Sequence, residues 1–304
     1  EEQDESLEDI LQQTVPPPTE ENHDPVATDD QLGARPGRAT ILPVLANDSD
    51  QDGDVLTARV VSDLPSGVTV SPIANDSQLQ IDIPESFTDR TITFQYEVDD
   101  GRGGSDSATV VVTVRTPEEN GAPERLFEQS FTIEQTARFE YSALQAWVDP
   151  DGDDFYLQSA TSPTGDQIEA SPAGRILYTA TGSVGVTTID LTIVDSRGET
   201  ATGSISVTVM ERNTAPIVAN ADFVATTVGQ EVSFEPLAND YVPGTQDARV
   251  AQVSFELEPR ITGSYDTETG IVTLSGETPG TYYVTYLASA GAASATGRIR
   301  VDIR

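Results

Sequence analysis

Short runs of alternating apolar and polar residues fill most of the chain. The clearest are ATVVVTV (Ala108 to Val114), SISVTV (Ser204 to Val209) and RIRVDI (Arg298 to Ile303). In the last, Ile299, Val301 and Ile303 share one face, and Arg298, Arg300 and Asp302 share the other. A period of two with one polar face predicts a strand with one side on a core and the other in water. A second alternating run precedes each: TITFQYEV from Thr91, TTIDLTIV from Thr187 and TYYVTYLA from Thr281. Further short runs lie near 26–32, 38–45, 54–62, 67–72 and 78–83, separated by turn-forming Gly, Asp and Pro. Within 26–114 that makes seven strands and no convincing helix.

The pattern recurs. NHDP at Asn22, NGAP at Asn120 and NTAP at Asn213 share N-x-x-P, and each opens a stretch that closes on one of the final alternating strands. A repeat of about 95 residues marks tandem copies of one structural unit. The predicted domains are 22–116, 117–211 and 212–304, preceded by an acidic, proline-rich linker over 1–21 in which ESLEDILQQ could form a short helix. Seven short strands per unit predict an all-β chain of three immunoglobulin-like β-sandwiches, without the Cys…Trp…Cys signature of antibody domains. Short linkers and like charge predict an extended array spanning on the order of 100–130 Å.

Composition narrows the chemistry. The chain has no cysteine, and its 16 basic residues, all arginine, face 51 acidic ones, for a net charge of −35. That charge argues against binding nucleic acid or an anionic membrane surface. No apolar run is long enough to span a membrane. The chain begins at Glu1 without a signal peptide, which reads as a slice of a longer polypeptide. His23 is the sole histidine, so zinc and a Ser-His-Asp site have almost nothing to be built from. Acid pairs arise by chance among so many carboxylates, and no enzyme activity is expected.

The acidic residues are patterned. LANDSDQDGD places Asp48, Asp50, Asp52 and Asp54 at alternate positions with Gly53 among them. DSDQDG matches the first half of an EF-hand loop, but position 59 is Arg59 rather than the closing Glu, and no helices flank it. The first unit's N-x-x-P-x-A-x-D-D, L-A-N-D-x-D-x-D-G-D and V-D-D-G-x-G resemble the bacterial Ig-like, cadherin-like repeat found in tandem in large secreted or surface-anchored proteins. The second unit keeps VDPDGDD and IVDSRG; the third keeps LAND alone. The resemblance implies the sandwich fold throughout, and a spacer, adhesion or binding role.

In such a sandwich the loop after the second strand and the loop after the sixth meet at the end where the chain arrives. Asp48, Asp50, Asp52 and Asp54 should therefore approach Asp99 and Asp100. Asp149, Asp151 and Asp153 should approach Asp195, beside Glu119 and Asn120 of the linker. Calcium takes six to eight oxygens, more than one short loop supplies, so converging loops make a candidate calcium site. Aspartate-rich turns also occur without metal. Trp147, in the second acidic loop, packs against the neighbouring unit or stacks on a sugar. The reading is a structural or interaction segment, a stalk or adhesion repeat, of an extracellular bacterial surface protein. Its partner would be a cell-surface protein or glycan. The alternative is a set of carbohydrate- or protein-binding modules of a modular secreted enzyme.

Overall fold

The structure is a computed structural model that describes residues 22–181, 183–212, 214–242, 248–291 and 293–304. The expected linker over 1–21 and Asn213 lie outside the described residues. Unit 1 holds β1 (Asp30–Ala34), β2 (Ala39–Leu42), β3 (Thr57–Val60), β4 (Thr69–Ile73), β5 (Gln78–Asp82), β6 (Thr91–Asp99) and β7 (Ser105–Val114). They form two sheets, β1-β7-β6-β3 and β2-β5-β4. β1 runs parallel to β7, and the other neighbours are antiparallel. Alternation puts Ile92, Phe94, Tyr96 and Val98 of β6 on one inner face, where they meet Leu42, Leu79 and Ile81 of the opposite sheet.

Unit 2 repeats the plan with β8 (Glu124–Arg125), β9 (Gln129–Glu134), β10 (Arg138–Ser142), β11 (Trp147–Val148), β12 (Phe155–Thr161), β13 (Gln167–Ala170), β14 (Arg175–Thr179), β15 (Gly185–Asp195) and β16 (Thr200–Met210). Its sheets are β12-β15-β16-β9 and β10-β14-β13, with a small β8-β11 ribbon. Unit 3 holds β17 (Asp222–Thr226), β18 (Val232–Phe234), β19 (Arg249–Ser254), β20 (Ile261–Tyr265), β21 (Val272–Gly276), β22 (Gly280–Ala290) and β23 (Ala293–Ile303). Its sheets are β17-β23-β22-β19 and β18-β21-β20. Each unit has its own apolar core.

The units touch closely. A Cβ on Gly33 would lie 1.8 Å from the Pro150 carbonyl oxygen, and one on Gly152 would lie 2.8 Å from the Gly33 carbonyl oxygen. Unit 1 and the acidic loop of unit 2 thus interlock backbone to backbone at two glycines. Units 2 and 3 meet through aromatic packing: the Phe139 and Tyr241 rings lie edge to face with centroids 4.4 Å apart. Glu134 seals that joint by accepting from the Thr214 and Ala215 amides at 2.9 and 3.0 Å.

One expectation is corrected. The three sandwiches are not simply in line, because unit 3 also touches unit 1. Tyr283 donates to the Asp100 carbonyl at 2.8 Å, and Arg300 donates to the Val55 and Asp99 carbonyls. The polar face of β23, expected to lie in water, buries Arg300 to 2% exposure. Overall negative charge did not prevent this, since charges beyond about 8–10 Å are screened while close opposite charges are not.

Candidate functional site

The leading end of unit 1 is built on a tight turn. Asp50 accepts from the Asp52 and Asp54 amides at 2.8 and 3.0 Å, and Gly53 turns the chain at φ 69°. Asp52 accepts from the His23 amide at 2.7 Å, and that bond holds its pKa below the usual range. Asp54 pairs with Arg102 at 2.9 Å and with Arg298 of unit 3 at 3.3 Å. Burial pushes the Asp54 carboxyl up, against the pull of Arg102. Asp100 takes the Asn22 amide at 2.5 Å and the Arg102 and Gly104 amides. Asp99 pairs with Arg300 at 3.1 Å.

Unit 2 builds the same end. Asp149 accepts from the Asp151 and Asp153 amides at 2.9 and 3.0 Å. Asp195 takes Asn120 at 2.8 Å and the Arg197, Gly198 and Glu199 amides. Burial works to raise the Asp195 pKa, but those donors hold it low. Asp153 receives Arg35 of unit 1 through two bonds of 2.8 and 2.6 Å. Arg35 is 6% exposed and also donates to the Thr116 and Glu119 carbonyls of the linker. Arg38 and Arg197 pair with Asp153 at 3.2 and 3.3 Å, and Arg115 pairs with Asp151 at 3.2 Å. One guanidinium therefore ties unit 1, the linker and unit 2 together, with three more around it.

The loops converge as the topology required, but two carboxylates point elsewhere. Asp48 turns inward, accepting from the Thr28 amide at 2.7 Å and the Tyr96 hydroxyl at 2.9 Å. Its counterpart in unit 3, Asp240, does the same with the Asn220 amide and the Tyr286 hydroxyl. The aspartate of LAND is thus a fold element that pins the arriving chain to β6 or β22. Glu119 turns to Arg90 at 2.7 Å, which holds its pKa at about 2, and offers the junction its carbonyl instead. Trp147, 5% exposed, belongs to the unit 2 core and lies over Gly203.

Two carboxylate trios could hold a metal ion: Asp50, Asp52 and Asp54, and Asp149, Asp151 and Asp153, each offering oxygens within 4.8 Å of one another. Asp50 and Asp149 each keep one buried Oδ2 without a hydrogen-bond partner. The unit 1 trio fits a hard divalent ion, since among the described residues the only arginines that face it are Arg102 and Arg298, both on Asp54, with Arg102 3.9 Å from Asp52. The unit 2 trio fits one less well: Arg35 and Arg115 pair with Asp151, and Arg35, Arg38 and Arg197 pair with Asp153, while Asp149, like Asp50, pairs with no arginine among the described residues.

The arginines are what sequence reasoning missed. A signal was present. DDGRGG and VDSRG each place arginine two residues after the aspartate whose oxygen turns the loop. Arg35 carried no such mark, because its partner lies 118 residues away.

The family comparison agrees with the fold. The family model described as the bacterial Ig domain matches residues 22–113 and 120–208. The chain belongs to that family. No curated protein matches it. Among solved structures it is similar to an endo-fucoidan hydrolase of glycoside hydrolase family 107, at 15% identity and TM-score 0.27, covering 97% of this chain and 46% of that one. It is similar to Drosophila N-cadherin EC1-3 at 14% identity and TM-score 0.30, covering 91% and 98%. For mouse cadherin-23 EC22-24 the values are 14% and 0.24, covering 93% and 99%. The chain spans about half the length of the hydrolase. Among the described residues no helix is long and apolar enough to cross a membrane.

Proposed function

We propose that this chain is a structural and interaction segment, a stalk or adhesion repeat, of an extracellular bacterial surface protein. The observation that carries this reading is the Arg35 network, which fixes the orientation of two successive units through a buried ion pair and linker carbonyls. A module made only to bind a ligand needs no such joint. Calcium fits the oxygen set at the unit 1 end, through Asp50, Asp52 and Asp54, and would stabilise that end by mass action. The partner is a cell-surface protein or glycan.

A carbohydrate-binding role has one observation in its favour. A cleft of 1020 Å³ between units 2 and 3 is lined by Phe139, Tyr141, Tyr241 and Gln145. Trp147 does not add to it, since its ring is buried in unit 2. A glycan array separates the two. The structural reading predicts no retention on defined oligosaccharides, and specific retention lost in Tyr141→Ala would overturn it. Calorimetric titration with calcium should give heat that Asp50→Asn reduces more than Asp149→Asn does, because more guanidinium groups already face the unit 2 trio.

A further inference from the structure

The leading ends of units 1 and 2 are the same device used twice. Each has an aspartate that turns the loop through two backbone amides, Asp50 or Asp149. Each has a late-loop aspartate holding the asparagine of N-x-x-P, Asp100 with Asn22 and Asp195 with Asn120. Each has a late-loop arginine on the trio's last carboxylate, Arg102 on Asp54 and Arg197 on Asp153. And each last carboxylate takes arginine from a different unit: Arg35 and Arg38 of unit 1 on Asp153, and Arg298 of unit 3 on Asp54.

We propose that this acidic end is a receptor for arginines presented by another immunoglobulin-like unit, and that the receptor of unit 1 holds unit 3 of the same chain, closing the three units into a ring. The proposal deepens the reading of an interaction segment by naming the partner of one face. Recognition goes beyond charge. Arg300 donates to the Val55 carbonyl at 2.5 Å, to the Asp99 carbonyl at 3.1 Å and to the Asp99 carboxylate at 3.1 Å. A guanidinium presents five donors in a rigid planar fork, against three on an ammonium, so it can satisfy several oxygens in fixed directions at once. Tyr283 adds its bond to the Asp100 carbonyl, and Arg304 pairs with Asp76. Gly101 is what allows the approach: a Cβ there would meet Thr281 at 2.6 Å and the Arg300 guanidinium at 2.8 Å. The arginines come from alternate positions of β23, so one strand face supplies them with the geometry of a regular ladder.

Small-angle scattering on the full chain in chelator tests this. The wild type should be compact, and Arg298→Gln with Arg300→Gln should raise the maximum dimension by roughly one half, toward the length of an in-line array. Asp54→Asn with Asp99→Asn, made on the other side of the contact, should do the same, with circular dichroism verifying that all units remain folded. Tyr283→Phe should open the ring partially. A wild type already as long as the variants, or variants as compact as the wild type, would overturn the proposal. So would a size that grows with protein concentration through these arginines, which would place the contact between molecules. Calcium titration of the Arg298→Gln, Arg300→Gln chain tests the metal reading separately, because its trio is intact.

Discussion

Gly33 and Arg35 sit two residues apart and set the unit 1–2 joint by different means. At Gly33 the constraint is steric. Backbone atoms of Pro150 occupy the space a side chain would need, and backbone cannot swing aside as a flexible side chain can. Gly33→Ala should cost about 1–3 kcal/mol, as overpacking does, and should loosen the joint while both sandwiches stay folded. Chemical denaturation together with amide chemical shifts around Gly152 would check this; unchanged shifts there would contradict it. At Arg35 the constraint is electrostatic, in a setting where both partners are buried. Sequence inspection identified the carboxylates of this joint but not the guanidinium that answers them. Acidic clusters are visible because aspartates are close in sequence, whereas Arg35 meets Asp153 only through the fold. Asp48 was misplaced for a related reason: alternation along a loop does not say which side chains turn inward.

At the element scale the sandwich was legible because period-two alternation and turn residues are local signals. Seven strands of unit 1 fall close to the runs in the sequence, though the first begins at Asp30 rather than 26, leaving Val26 a single bridge to Ser49. The inward aspartates were not legible. In unit 3, β17 buries Asp222 near Tyr286 of β22 and Asp240, and burial with the neighbouring Asp240 charge pushes Asp222 to about 8. The unfolded chain would give up this proton near pH 4, while the folded unit keeps it to about pH 8. Between those values the native state binds the extra proton, so stability declines as pH rises through the window and is greatest on its acid side. Urea midpoints followed on unit 3 amides should be lower at pH 8 than at pH 5. Asp222→Asn should flatten that difference, and an equal difference in wild type and variant would refute the assignment.

At the scale of the whole molecule, mutual repulsion predicted a stretched chain, and the structure brings unit 3 onto unit 1. The net charge of −35 is an average over a surface on which 16 arginines are not randomly placed. At least seven of them, Arg35, Arg38, Arg102, Arg115, Arg197, Arg298 and Arg300, face the two acidic ends. Arginine in place of calcium has a consequence for the joints. A covalently fixed cation is always present, so orientation does not depend on ion concentration, whereas a calcium joint is lost in chelator.

The absence of native cysteine allows a direct measurement of that claim. Spin labels on Ser71→Cys in β4 and Gln167→Cys in β13, both exposed, report the distance between units 1 and 2. With calcium removed, pulsed electron spin resonance should give one narrow distance distribution. Arg35→Gln should broaden it and cost about 3 kcal/mol, toward the lower end for a broken buried ion pair, because Arg38 and Arg197 still face Asp153. A wild-type distribution that is broad in chelator and narrows only when calcium is added would contradict the account.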